Sequence, residues 1–176
     1  MKVRIYTPPN YNVRKPVCLF YHGGGWALDD HTSEDAQLKT ISKATGVVVV
    51  SVDYRLAPAN PYPAALDDSC FAYHWAIKNS TFLNTTPNEA FTFGTSAGGN
   101  LALSTALRLI DGLQAETLKG VVAVVPVTIA PEVVPDALKN NYTSYDEHNL
   151  HTVNTASGMK AFYGEKLSFK LGPFTK

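Results

Sequence analysis

A serine with a glycine two residues away on either side, Gly94-Thr95-Ser96-Ala97-Gly98, lies between a short apolar run, Ala90 to Phe93, and a stretch rich in Ala and Leu, Ala97 to Ile110. The run reads as a strand and the stretch as a helix. The serine therefore falls on a strand-to-helix turn so tight that its neighbours must be small. Glycines at both flanks let the backbone bend without Cβ clashes. Ser96 then projects at the carboxyl edge of a sheet. The N–H of Ala97 opens the following helix and can face negative charge.

The rest of the chain alternates in the same way. Met1 to Tyr6 alternates in polarity and reads as an edge strand, broken by Pro8, Pro9 and Asn10. Pro16 to Tyr21 and Val47 to Val52 are near-continuous apolar runs, the pattern of strands buried on both faces. Ser33 to Thr45 and Ala64 to Lys78 have helical spacing. Ser33 is the expected N-cap of the first and Gly46 its C-terminal glycine. Leu66, Cys70, Tyr73 and Ile77 form one face of the second. Val121 to Val127 is expected as a further buried strand.

This order predicts an α/β fold, a mostly parallel sheet with helices on both faces. With 176 residues, 45% hydrophobic and 17% charged, the chain suits one packed domain. After Val127 the texture changes to Pro131, Pro135, Asn140, Asn141, Tyr142, Ser144 and Tyr145. The predicted organisation is a core over 1–165, with a surface excursion over about 130–165 that ends in a helix from Asn154 to Tyr163. Residues 166–176 form an unassigned tail.

A second chemical signal, His22-Gly23-Gly24-Gly25, directly follows a strand. Three glycines allow close backbone approach to a ligand, and the N–H groups of Gly23 and Gly24 can join that of Ala97 in an oxyanion hole. His22 precedes the serine, whereas the base in such folds follows it. His22 therefore reads as a loop-orienting group.

Three blocks now stand in order: HGGGW at His22 to Trp26, DYRLAP at Asp53 to Pro58 with PYPAALDD at Pro61 to Asp68, and GTSAGGN at Gly94 to Asn100. From about Val3 to Tyr163 the chain resembles the hormone-sensitive-lipase-like carboxylesterases, the third α/β-hydrolase fold family. The resemblance implies an α/β-hydrolase fold and hydrolysis of a small uncharged carboxylic ester. The reaction would run through an acyl-enzyme on Ser96, with Gly23, Gly24 and Ala97 holding the oxyanion and no cofactor or metal. Thr95 stands where the family usually has Asp, a turn-supporting position, and Ala59 where it often has Glu. Arg55 with Asp67 or Asp68 reads as a structural tie between loop and helix. Trp26 and Tyr54 fit either the pocket or the core.

The family's acid and base blocks lie well beyond the serine, and neither follows Ser96 here. The resemblance thus implies a partial hydrolase fold, truncated at its C-terminal side. A substitute triad from Asp136 or Asp146 with His148 or His151 has the right order but the wrong spacing. Two alternatives remain: a non-catalytic small-molecule binder resembling the gibberellin receptors, which share this fold, and an inactive fragment.

Fifteen basic and fifteen acidic residues give no electrostatic footprint for nucleic acid. No apolar run is long enough to span a bilayer, and Tyr6 to Asn10 interrupt any signal-peptide core, so a cytoplasmic address is expected. Cys18 and Cys70 are expected as buried free thiols, and the sequons at Asn79, Asn84 and Asn141 as chance occurrences in loops.

Overall fold

The computed structural model describes residues 1–9, 13–147 and 155–163. Its centre is a five-stranded sheet in the order β1-β3-β2-β4-β5. The strands are β1 Lys2–Tyr6, β2 Val17–Tyr21, β3 Val49–Asp53, β4 Ala90–Thr95 and β5 Leu118–Val124. β1 runs antiparallel to β3 at one edge, and the other pairs are parallel. Between them run α1 Asp35–Thr45, α2 Ala64–Lys78, the single turn α3 Ser80–Leu83 and α4 Ala97–Asp111.

Strand alternation divides the core in two. Val17, Leu19 and Tyr21 point to the face covered by α2 and α4, with Tyr73, Ala76, Leu101 and Leu109. Cys18 and Phe20 point to the other face, where Leu38 and Ile41 of α1 pack with Tyr6, Val49 and Phe93. Burying each large side chain contributes roughly 1.5–3 kcal/mol, so the central strands anchor the fold. Both cysteines are buried free thiols, as expected.

Two expectations are corrected. Ser33 does not cap α1: its Oγ accepts from the N–H of Asp30 at 3.1 Å, inside a turn that Asp30 also closes by accepting from Thr32. The helix begins at Asp35, with Glu34 at the boundary. Gly46 does end it, in a left-handed conformation at φ 69°, donating to the carbonyl of Ser42. Nor is the last strand buried. β5 starts and ends three residues earlier than expected, and Val122 and Val124 remain 46% and 41% exposed. Val122 pairs with Phe93 and shares its face, but α1 lies over the other strands of that face and leaves β5 bare.

Arg55 and Asp68 tie the segment after β3 to α2. Arg55 grips Asp68 through Nε and Nη2, at 2.9–3.1 Å, and its backbone N–H donates to Oδ2 at 2.9 Å. Asp67 instead pairs with Arg108 of α4 on the surface. Asp68→Ala strands three donors at once and is expected to lower the melting temperature by roughly 2–8 °C, with Asp67→Ala near neutral. Thermal melts of the two variants check this.

Candidate active site

The chain runs from β2 to β3 on one side of the sheet and then to β4 on the other. The ends of β2 and β4 are therefore neighbours whose connections diverge, the place where open α/β sheets bind ligands. Tyr21 pairs with Gly94, so the loops starting at His22 and Thr95 leave the sheet side by side.

The serine turn has the shape that its sequence demands. Ser96 sits at φ 55°, ψ −117°, a strained conformation for a residue with a side chain. It is fixed by its own N–H, which donates to Val124 at 2.9 Å, and by its carbonyl, which accepts from Asn100 at 3.1 Å. A Cβ on Gly98 would collide with the carbonyl oxygens of Tyr21 and His22, and one on Gly94 with that of Gly98. The half-buried Ser96 side chain opens onto a cavity of about 310 Å³, lined by Val127, Ile129, Tyr142, Tyr145 and Met159. That volume lies at the low end for small-molecule sites.

The glycine loop lies against this turn. A Cβ on Gly23 would be 3.8 Å from Ser96 Cβ and 3.5 Å from the Thr95 carbonyl. Gly24, at φ 93°, turns the chain so that its carbonyl accepts from Ala27 and Leu28, and a Cβ there would strike the Leu28 carbonyl. Ala97 is fully buried at the first position of α4. Ser96, Gly23 and Ala97 are thus neighbours, with Gly24 next along the loop.

His22 is buried, its ring stacked on Tyr54 at 4.1 Å and its Nδ1 2.8 Å from the Gly23 carbonyl. The Tyr54 hydroxyl donates to the carbonyl of His22 at 2.8 Å. Burial lowers the His22 pKa below the ordinary imidazole value, so the ring is neutral at pH 7 and orients the loop. Trp26 and Tyr54 are both core residues.

Among the substitute-triad residues, Asp136 is exposed and paired with Lys139 at 2.6 Å, and Asp146 lies on the short helix α5 Ser144–Glu147, exposed. His148 and His151 lie outside the described residues, as does the 166–176 tail. Among the described residues no side chain hydrogen-bonds the Ser96 hydroxyl. The excursion after β5 closes one side of the cavity. Tyr142 and Tyr145 stack at 5.6 Å, and Tyr142 donates to the Ile129 carbonyl at 2.6 Å. The helix α6 Ala156–Tyr163 brings Tyr163 to within 5.8 Å of Trp26.

Residues 18–169 match the α/β hydrolase fold family. The chain belongs to that family. This hydrolase-fold chain is 44% identical over 161 residues to a versiconal hemiacetal acetate esterase of Aspergillus parasiticus, covering 92% of the chain and 50% of the relative. It is 35% identical over 125 residues to human hormone-sensitive lipase, covering 70% of the chain and 12% of that protein. A crystallised esterase of Pyrobaculum calidifontis superposes with a TM-score of 0.80 at 32% identity, over 92% of this chain and 50% of that one. The chain therefore spans about half the length of the esterases that it matches, and the hydrolase fold here is partial. Among the described residues no helix is long and apolar enough to cross a membrane.

Sequence reasoning missed two features of the site. Glu34 reaches the glycine loop, a contact across eleven residues that no local pattern announces. Val125, a β-branched residue at φ 41°, lines the cavity beside Ser96. An apolar run gives no sign of where its backbone turns left-handed.

Proposed function

We propose that the chain supplies the nucleophile and oxyanion site of a carboxylic ester hydrolase. The observation that carries this reading is the strained Ser96 turn packed against the Gly23–Gly24 loop at the mouth of a cavity. Ser96 Oγ attacks the ester carbonyl carbon and passes its proton to a base that none of the described residues supplies. The carbonyl oxygen, now negative, is held by N–H groups of Gly23, Gly24 and Ala97. Collapse of the tetrahedral intermediate breaks the bond to the alcohol, which leaves with a proton. Water then repeats the cycle on the acyl-enzyme and frees the acid. A small uncharged ester suits a cavity whose walls include Val127, Ile129, Met159 and three tyrosines.

The test is a fluorophosphonate, which bonds covalently to an activated serine, with the adduct mapped by mass spectrometry. Turnover of a short-chain chromogenic ester is followed in parallel. A single adduct on Ser96 is the expected result, and turnover beside it would mark a base within the chain. A folded chain with neither would overturn the catalytic reading and favour a hydrolase-fold binder.

A further inference from the structure

The cavity at Ser96 has a wall that ester hydrolysis does not by itself require. Tyr142, Tyr145 and Tyr163 line it together with Met159, and none of the described residues lining it carries a charged side chain. The rings arrive from two directions. Tyr142 and Tyr145 stack at 5.6 Å with 22° between their planes, and the Tyr142 hydroxyl donates to the Ile129 carbonyl at 2.6 Å. Tyr145 lies on α5, whose turn is closed by the Thr143 carbonyl, accepting from the N–H groups of Asp146 and Glu147 at 2.9 and 3.0 Å. Tyr163 comes from α6, buried and set against Trp26. The Tyr145 hydroxyl lies within hydrogen-bonding reach of both other phenols, so it is the middle member of the three. The wall is held by backbone and by its own rings.

A wall that only excluded water would prefer the most apolar guest, a saturated ring or chain. Aromatic walls add a preference of another kind. The negative face of one ring attracts the positive edge of another, and a thioether sulfur favours a ring edge. We propose that the cavity selects esters that carry an aromatic ring close to the ester group, and that Tyr145 determines this preference. The proposal rests on the hydrolase reading above only in calling the guest an ester.

The probes are benzylacetone and its cyclohexyl counterpart. These ketones copy benzyl acetate and cyclohexylmethyl acetate with a methylene in place of the ester oxygen, and neither can be hydrolysed. Binding to the full chain is read from the methyl NMR signal of Met159, whose only companion in the chain is Met1. Benzylacetone is expected to bind roughly three- to tenfold more tightly, the scale of one aromatic pair, and to move the Met159 signal through its ring current. Tyr145→Leu is expected to bring the ratio to one or below, and Tyr145→Phe, which keeps the ring, to restore it. A purely structural role for Tyr145 would weaken both ketones alike and leave their ratio unchanged.

Equal or tighter binding of the saturated ketone by the unmodified chain overturns the proposal with no variant needed. A ratio indifferent to Tyr145→Leu, a ratio lost in Tyr145→Phe, or no binding of either ketone also overturns it. Failure of the hydrolase reading looks different: the aromatic preference appears as described, but the fluorophosphonate leaves Ser96 unmodified.

Discussion

Ser96→Ala is expected to lower ester turnover by on the order of a thousandfold or more and to abolish fluorophosphonate labelling, while shifting the melting temperature by no more than about 2 °C. The two halves of this expectation have separate physical causes. Turnover falls because the nucleophilic oxygen at the strained turn is gone. Stability holds because the Ser96 hydroxyl makes no hydrogen bond among the described residues, so its removal orphans nothing. The bonds that fix residue 96, to Val124 and from Asn100, use the backbone and survive the change. The strain also survives, since φ 55° costs alanine as much as serine, roughly 1–3 kcal/mol. Ser96→Gly, free of that strain, should melt above Ser96→Ala. Calorimetry of the two variants beside the labelling assay checks both halves. A large loss of stability in Ser96→Ala would mean that the hydroxyl is a structural group.

Gly98→Ala is expected to be the most damaging single methyl group in the chain. The added carbon would occupy the space of the Tyr21 and His22 carbonyl oxygens. Neither oxygen can move without displacing β2, whose five residues are all buried. Relief must come from sliding α4 away from the sheet, which withdraws the Ala97 N–H and tilts Ser96. Overpacking ordinarily costs 1–3 kcal/mol, and a rigid backbone obstacle places this site near about 3 kcal/mol, a fall of roughly 6–12 °C in melting temperature. Phosphonate labelling should decline with it. Gly120→Ala in β5 is the control, since a Cβ there meets nothing within 4 Å. Equal melting temperatures for the two variants would contradict the described packing of the serine turn.

The elements that could be read from the sequence are those whose local chemistry is self-contained. α2 runs from Ala64 to Lys78 as its apolar period predicts, because Leu66, Cys70 and Tyr73 need only one continuous face. The serine turn is legible for a similar reason, as Gly94 and Gly98 are demanded by sterics within a few residues. Ser33 misleads because capping is a competition, and the Asp30 N–H claims its hydroxyl first. Val122 and Val124 mislead because an apolar side chain records what could cover it, not what does. Glu34 is the instructive miss at the site. An acidic residue before a helix is favourable through the helix dipole alone, so nothing marks it as the partner of Gly23. Only the adjacency of the β2 and α1 ends makes that contact.

The two margins of the sheet are chemically unlike. β1 carries exposed Lys2 and Arg4, whereas β5 carries one charge, Lys119, and leaves Val122 and Val124 exposed. Charge discourages a docking strand, and the apolar end of β5, Val121 to Val124, invites one. The welcoming margin is also the one stitched to the nucleophile, since the Ser96 N–H ends on Val124 and the Val127 N–H returns to Ser96 at 3.4 Å. A strand added to β5 would therefore pull on the peptide that sets the serine's angle, so that how far the sheet extends and how well the serine reacts are tuned through a single seam.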